Sequence, residues 1–203
     1  MSSKSEDTTA FLLSETSISV AFTGIMSAAT IFTITLLISL GHRELFTSLL
    51  YLFISMFGYL YSTIIYANAS GQLARLRRLE GEKILSVGNI ISEYFGVYYT
   101  VFAFPLAFLA LTGKILSISI LIVNILGFVF YHVYGFSILE RYIRSRRRFY
   151  AIVAGIIIVY VLNYFTHMCF SLSGLHLYTI ISTIALISYT IILTVFCLQR
   201  KER

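Results

Sequence analysis

The sequence predicts an all-α polytopic integral membrane protein, a bundle of six transmembrane helices with the N and C termini cytoplasmic. Three observations carry that prediction. The first is run length: six apolar stretches, at residues 17–40, 46–68, 89–112, 115–137, 149–170 and 176–198, each reach the roughly 20 residues that an α-helix needs to cross a hydrocarbon core about 30 Å thick. The second is composition, with 58% of the 203 residues hydrophobic and 12% charged, and a mean hydropathy of +0.87. The third is the alternation of basic and non-basic connections. Lys4, the group Arg75, Arg77, Arg78 and Lys83, the group Arg141, Arg144, Arg146, Arg147 and Arg148, and the tail residues Arg200, Lys201 and Arg203 fall on one side, thirteen in all. The other side has Arg43 and Lys114, two in all. Short basic segments resist translocation, so this asymmetry places the thirteen in the cytoplasm. The long unbroken runs are helical rather than barrel strands, which would be short and alternating.

These boundaries divide the chain into a cytoplasmic tail at 1–16, the membrane domain at 17–198 and a basic cytoplasmic tail at 199–203, which leaves no room for a soluble domain. The tail MSSKSEDTTAFLLSET opens without the basic segment of a cleavable signal, so the first span is expected to be retained behind a short disordered lead. In span one, Ser17, Ala21, Gly24 and Ala28 recur at intervals of three and four. Small residues at that spacing let another backbone approach closely, so this face is expected to pack inside the bundle or against a partner. Thr23, Thr30, Thr33 and Thr35 are each expected to bond back to a carbonyl of the preceding turn.

Span two and the start of span three are rich in aromatic residues, among them Tyr51, Phe57, Tyr59, Tyr66, Tyr94, Tyr98, Tyr99 and Phe102. Those near the ends suit interfacial belts, and those near the middle suit a packed core. Between these spans lies the longest connection, GQLARLRRLEGEKILSVGN. Its Leu73, Leu76 and Leu79 suggest a short helix lying in the headgroup plane and ended by Gly81. Asn68, in the sequon Asn68-Ala69-Ser70, is expected to be unmodified on the cytoplasmic side. Glu93 is expected at the cytoplasmic boundary of span three, within reach of water. The only proline, Pro105, lies inside span three, where it removes a hydrogen bond to the carbonyl of Val101 and is the candidate hinge.

The candidate polar pathway, or set of interhelical contacts, comprises Asn124 and His132 in span four and Asn163 and His167 in span five. Each pair shares a helix face, since the residues are eight and four positions apart. His42, His167 and His176 fall at the outer membrane level, yet no HxxxH, HExxH or Cys/His spacing supports a metal site, and none is expected. Cys169 and Cys197 lie on opposite membrane faces and are not expected to pair. No catalytic residue or cofactor is expected either. The sole aspartate, Asp7, lies in the tail, and there is no Gly-rich phosphate loop or nucleophile elbow.

The net charge of +6 is accounted for by membrane-proximal residues facing anionic headgroups, which argues against nucleic acid as a partner. The expected partners are the lipid bilayer and a homo- or hetero-oligomer, and the expected location is the cell membrane. The favoured reading is a non-catalytic accessory or scaffold subunit of a membrane assembly. The alternatives are a homo-oligomeric ion channel or small-solute transporter and, last, a membrane-embedded enzyme, for which no catalytic constellation is legible.

Overall fold

The computed structural model of the protein describes residues 2–41, 45–75, 77–134 and 145–170, together with residues 184 and 188. Every element among them is helical: α1 (Ser2–Leu40), α2 (Phe46–Ala74), α3 (Arg78–Ile91), a π-helical turn (Ser92–Val97), α4 (Tyr98–Thr112), α5 (Lys114–Val133) and α6 (Arg146–Phe170). Five helices are long and apolar enough to cross a membrane: Thr9–Leu40, Phe46–Ala74, Arg78–Thr112, Lys114–Val133 and Arg146–Cys169. Each overlaps one of the first five expected spans, and the first three run beyond the expected bounds, from residue 9, to residue 74 and from residue 78. The expected sixth span, 176–198, lies outside the described residues, as do the basic tail at 199–203 and Arg141 and Arg144.

Three local expectations are corrected. The lead before residue 17 is helical, because nothing in TTAFLLSET breaks a helix and the stretch has something to pack on. Leu12 lies against Tyr66, Ala69 and Leu85, and Thr16, fully buried, donates to the Leu13 carbonyl at 2.9 Å. The connection after α2 is almost absent. α2 runs on to Ala74 and α3 starts at Arg78, so the leucines form no single membrane-facing stripe: Leu73 is buried and Leu79 is 76% exposed. Gly81 does not end a helix; it lies inside α3 with its N–H bonded to the Arg77 carbonyl at 3.0 Å. At the start of α3, Arg77 and Arg78 pair with Glu80 and Glu82 at 3.4 and 2.7 Å. Both pairs are solvent-facing and contribute little to stability.

Two glycines end helices as the left-handed conformation requires. Gly41 (φ 67°) follows α1 and returns its N–H to the Ile38 carbonyl at 3.0 Å, and Gly113 (φ 87°) alone joins α4 to α5.

The chain forms two compact units: Met1–Leu36 with Phe53–Tyr98, and the described parts of Leu37–Leu52 with Tyr99–Arg203. In the first unit, α2 and α3 pair closely through a ladder of knobs and notches. A Cβ placed on Gly81 would lie 2.5 Å from Leu73, one on Gly88 2.6 Å from the Tyr66 ring, and one on Gly96 2.5 Å from the Tyr59 ring. The knobs Tyr59, Tyr66 and Tyr66, Leu73 are separated by seven residues each, the heptad interval of close-packed helices. The notches Gly81 and Gly88 keep that interval, whereas Gly88 and Gly96 are eight apart. The π turn at Ser92–Val97 takes up the additional residue and returns Gly96 to its knob. At Gly58 the two backbones are closest, with a Cβ there only 2.6 Å from the Phe95 carbonyl carbon.

In α1 the buried stripe is Thr16, Thr23, Ser27, Thr30, Ile34 and Leu37, at steps of seven, four, three, four and three residues. The four expected threonine back-bonds are present: Thr23 to Ser19, Thr30 to Met26, Thr33 to Ala29 and Thr35 to Ile31, at 2.7 to 2.9 Å. Thr23 also meets Thr63 of α2 at 2.8 Å. In the second unit, α5 packs on α6. Across the molecule many hydroxyl-bearing aromatics point inward and many phenyl rings outward. Tyr51, Tyr59, Tyr94, Tyr99 and Tyr164 are essentially buried, while Phe22, Phe32, Phe57 and Phe130 are exposed. That is the pattern of a chain whose outer solvent is apolar and whose interior is where polar tips find partners.

Candidate functional site

Two polar constellations occupy the described interior. The larger lies in the second unit and follows from Pro105. Proline has no N–H, so the Val101 carbonyl four residues earlier loses its intrahelical donor. Two neighbouring helices supply replacements: Asn124 Nδ2 of α5 donates to the Val101 oxygen at 3.2 Å, and the Tyr160 hydroxyl of α6 donates to the same oxygen at 3.0 Å. One turn further, Ser117 of α5 donates to the Pro105 carbonyl at 2.7 Å and shares a hydrogen bond with the Tyr164 hydroxyl. Ser117 is fully buried and Tyr164 is 1% exposed. The ring of Phe102 stacks on Tyr160 with centroids 4.4 Å apart. Thus the residue expected as a hinge is held by side chains from both adjacent helices.

The other expected polar residues fall nearby in this unit. Asn163 Nδ2 donates to the Tyr51 hydroxyl at 2.7 Å, and Tyr51 meets Tyr99 edge to face. His167, one turn beyond Asn163, is half-buried. His132 is buried to 1% exposure, with Nδ1 2.8 Å from the Phe128 carbonyl and its ring against those of Phe128 and Phe149. Asn124 and His132 therefore make separate contacts rather than one site. His42, His176 and Cys197 lie outside the described residues, and Cys169 is exposed. Among the described residues, no three His, Cys, Asp or Glu side chains are grouped to hold a metal ion.

The face of Ser17, Ala21, Gly24 and Ala28 is not buried by the described chain. Ser17, Ala21 and Ala28 are exposed, and a Cβ on Gly24 would meet nothing within 4 Å. Of the two ways expected for covering this face, packing inside the chain is not the one adopted among the described residues.

The second constellation lies in the first unit and is not among the sites expected from the sequence. Glu93, expected at a wet boundary, is only 4% exposed and sits in the π turn. Its carboxylate accepts the Tyr98 hydroxyl at 3.1 Å. On the same face, Asn89 Oδ1 accepts the Tyr66 hydroxyl at 2.6 Å. The Ser92 hydroxyl also bonds Tyr66, and the carboxylates of Glu93 and of Glu15 from α1 both act electrostatically on it. Asn89, Ser92 and Glu93 are spaced three and four apart, the spacing of one helix face, and this pattern was the available signal. Counting residues from the far end of the span gave no information on what surrounds Glu93.

No family model, no curated protein and no solved structure matches this chain.

Proposed function

We propose that this chain is a six-span protein of the cell membrane with both termini in the cytoplasm, serving as a non-catalytic accessory or scaffold subunit of a membrane assembly. The observation that supports this reading is where the interior polar groups direct their hydrogen bonds. Asn124 and Tyr160 bond the Val101 carbonyl, Ser117 bonds the Pro105 carbonyl, and Asn163 bonds Tyr51. Each bond ties one helix to another, which is how membrane bundles use small amides and hydroxyls for cohesion. The open small-residue face of α1 suits contact with a further subunit, and the basic segments suit anionic headgroups on the cytoplasmic side.

The deciding experiment is mild extraction of the native protein followed by mass determination and identification of what co-purifies. A stoichiometric foreign subunit is the expected result. A homo-oligomer without partners discards the accessory reading in favour of a channel or small-solute transporter, which the placement of Pro105 and a π turn in one helix supports. In that case, replacing Asn163 or His167 by leucine would change flux in liposomes while the bundle stays folded.

Orientation has its own test. Single cysteines introduced at 70–82 are expected to react with an impermeant maleimide from the cytoplasmic side, and those at 171–175 from the outside. The opposite labelling overturns the assignment.

A further inference from the structure

The glycine ladder of α3 and its π turn bear on Glu93. Continued at the heptad interval, the notches Gly81 and Gly88 would be followed by position 95, but the next notch is Gly96. The helix therefore carries one residue more than its pairing with α2 needs, and it accommodates that residue in a π turn. Such turns are rare, appear mostly as single turns inside α-helices and occur frequently at functional sites.

The π turn has a specific effect here. The Tyr98 N–H bonds the Glu93 carbonyl, five residues back, and the Tyr98 hydroxyl bonds the Glu93 carboxylate at 3.1 Å. In a regular α-helix, residues five apart do not share a face; the wider turn brings the Tyr98 side chain over Glu93. The same turn buries three consecutive residues, Ser92, Glu93 and Tyr94. An ionisable group inside a membrane-spanning helix is expensive, and such groups mark ion and proton pathways. Titratable groups near Glu93 are Tyr98, which bonds its carboxylate, Tyr94, whose ring meets that of Tyr98 edge to face, and Tyr66 from α2, on which Glu93 and Glu15 from α1 both act electrostatically. Tyr59 from α2 lies against Gly96 of the same turn. The hydroxyls of Tyr66, Ser92 and Tyr98 are groups that can pass a proton along a hydrogen-bonded chain.

We propose that Glu93 is a proton-binding site, presented by the π turn and served by the hydroxyls of Tyr98, Tyr66 and Ser92. Its ligand is the proton, taken up and released at the carboxylate oxygen that faces Tyr98. This goes beyond the scaffold reading and does not depend on it.

The test uses the full-length protein in liposomes. Infrared difference spectra recorded as the pH is lowered and raised are expected to show the carbonyl band of a protonated carboxyl that appears and disappears reversibly. That band is expected to be lost in Glu93→Gln. In parallel, dicyclohexylcarbodiimide, which reacts with protonated carboxyls in apolar surroundings, is applied to the wild-type protein and the adduct is mapped by mass spectrometry. Modification at Glu93 is expected, falling away as the pH is raised. The parallel measurement needs no variant, so a failure of Glu93→Gln to fold leaves the question decidable. No reversible band in the wild type, a band unchanged in a folded Glu93→Gln, or an adduct absent from Glu93 overturns the proposal.

Discussion

Gly58→Ala is expected to be the most destabilising single methyl addition in this protein. The new Cβ would lie 2.6 Å from the Phe95 carbonyl carbon and 2.7 Å from the Gly96 nitrogen. Both are backbone atoms, held in the π turn, and neither can rotate away. Overpacking of this kind costs about 1–3 kcal/mol, and the rigidity of the obstacle puts Gly58→Ala near the top of that range. For a chain of this size, each kcal/mol corresponds to roughly 2–4 °C in thermal midpoint.

A ranking makes the expectation sharper than a single value. Alanine at Gly81, Gly88 or Gly96 meets side chains, Leu73, Tyr66 and Tyr59 respectively. Those side chains have some freedom to move, so the loss is smaller. Alanine at Gly24, Gly127 or Gly155 meets nothing within 4 Å, and there the higher helix propensity of alanine adds roughly 0.5–1 kcal/mol of stability. Thermal melts of these seven variants in one detergent check the order. A Gly58→Ala protein as stable as Gly24→Ala would mean that α2 and α3 are not paired at this closeness.

Removing both donors to the Val101 carbonyl is expected to cost far more than removing either. Interhelical hydrogen bonds in membrane proteins are worth about 0.6 kcal/mol on average, so Asn124→Leu and Tyr160→Phe alone each leave one donor in place and cost about that much. The double variant strands a carbonyl that Pro105 has already deprived of its helical partner, and an unsatisfied buried acceptor costs about 1–3 kcal/mol. The coupling is tested by restoring the backbone donor. Pro105→Ala supplies an N–H at the position from which the Val101 oxygen is normally bonded, so in that background the double variant is expected to recover much of the loss. A double-mutant cycle in both backgrounds measures this. Equal coupling with and without Pro105 would show that the two side chains do not act as substitutes for the missing bond.

The five described spans were legible because their cause is local: run length and apolarity are properties of the residues themselves. The threonine back-bonds were legible for the same reason, each needing only its own helix. The loop expected after span two is helix instead, with α2 running to Ala74 and α3 starting at Arg78, because polar residues there do not end a helix. Arg75, Arg78 and Lys83 are exposed where α2 gives way to α3, and the pairing that extends these helices depends on Leu73 meeting Gly81, a contact between residues whose alignment the sequence does not display. Pro105 announced a stranded carbonyl at Val101, but the identity of its new donors required three helices to be placed. Asn124 and Asn163 stood out as rare amides in apolar runs. Tyr51, Tyr160 and Tyr164 did not, because in a chain with 15 tyrosines the few whose hydroxyls join helices look like all the others. The π turn left a trace, the eight-residue step between Gly88 and Gly96, which becomes meaningful only beside the seven-residue steps of α2.

The inward orientation of the tyrosines also determines how this protein can be observed. The chain contains no tryptophan, so its near-ultraviolet absorbance and emission come from phenols, and several of these are wholly enclosed, with Tyr51, Tyr160 and Tyr164 engaged in contacts between helices. Loosening of the bundle would change the surroundings of those chromophores while the helices themselves persist. The protein thus carries its own optical gauge of interior packing, one that needs no attached dye and responds separately from backbone circular dichroism.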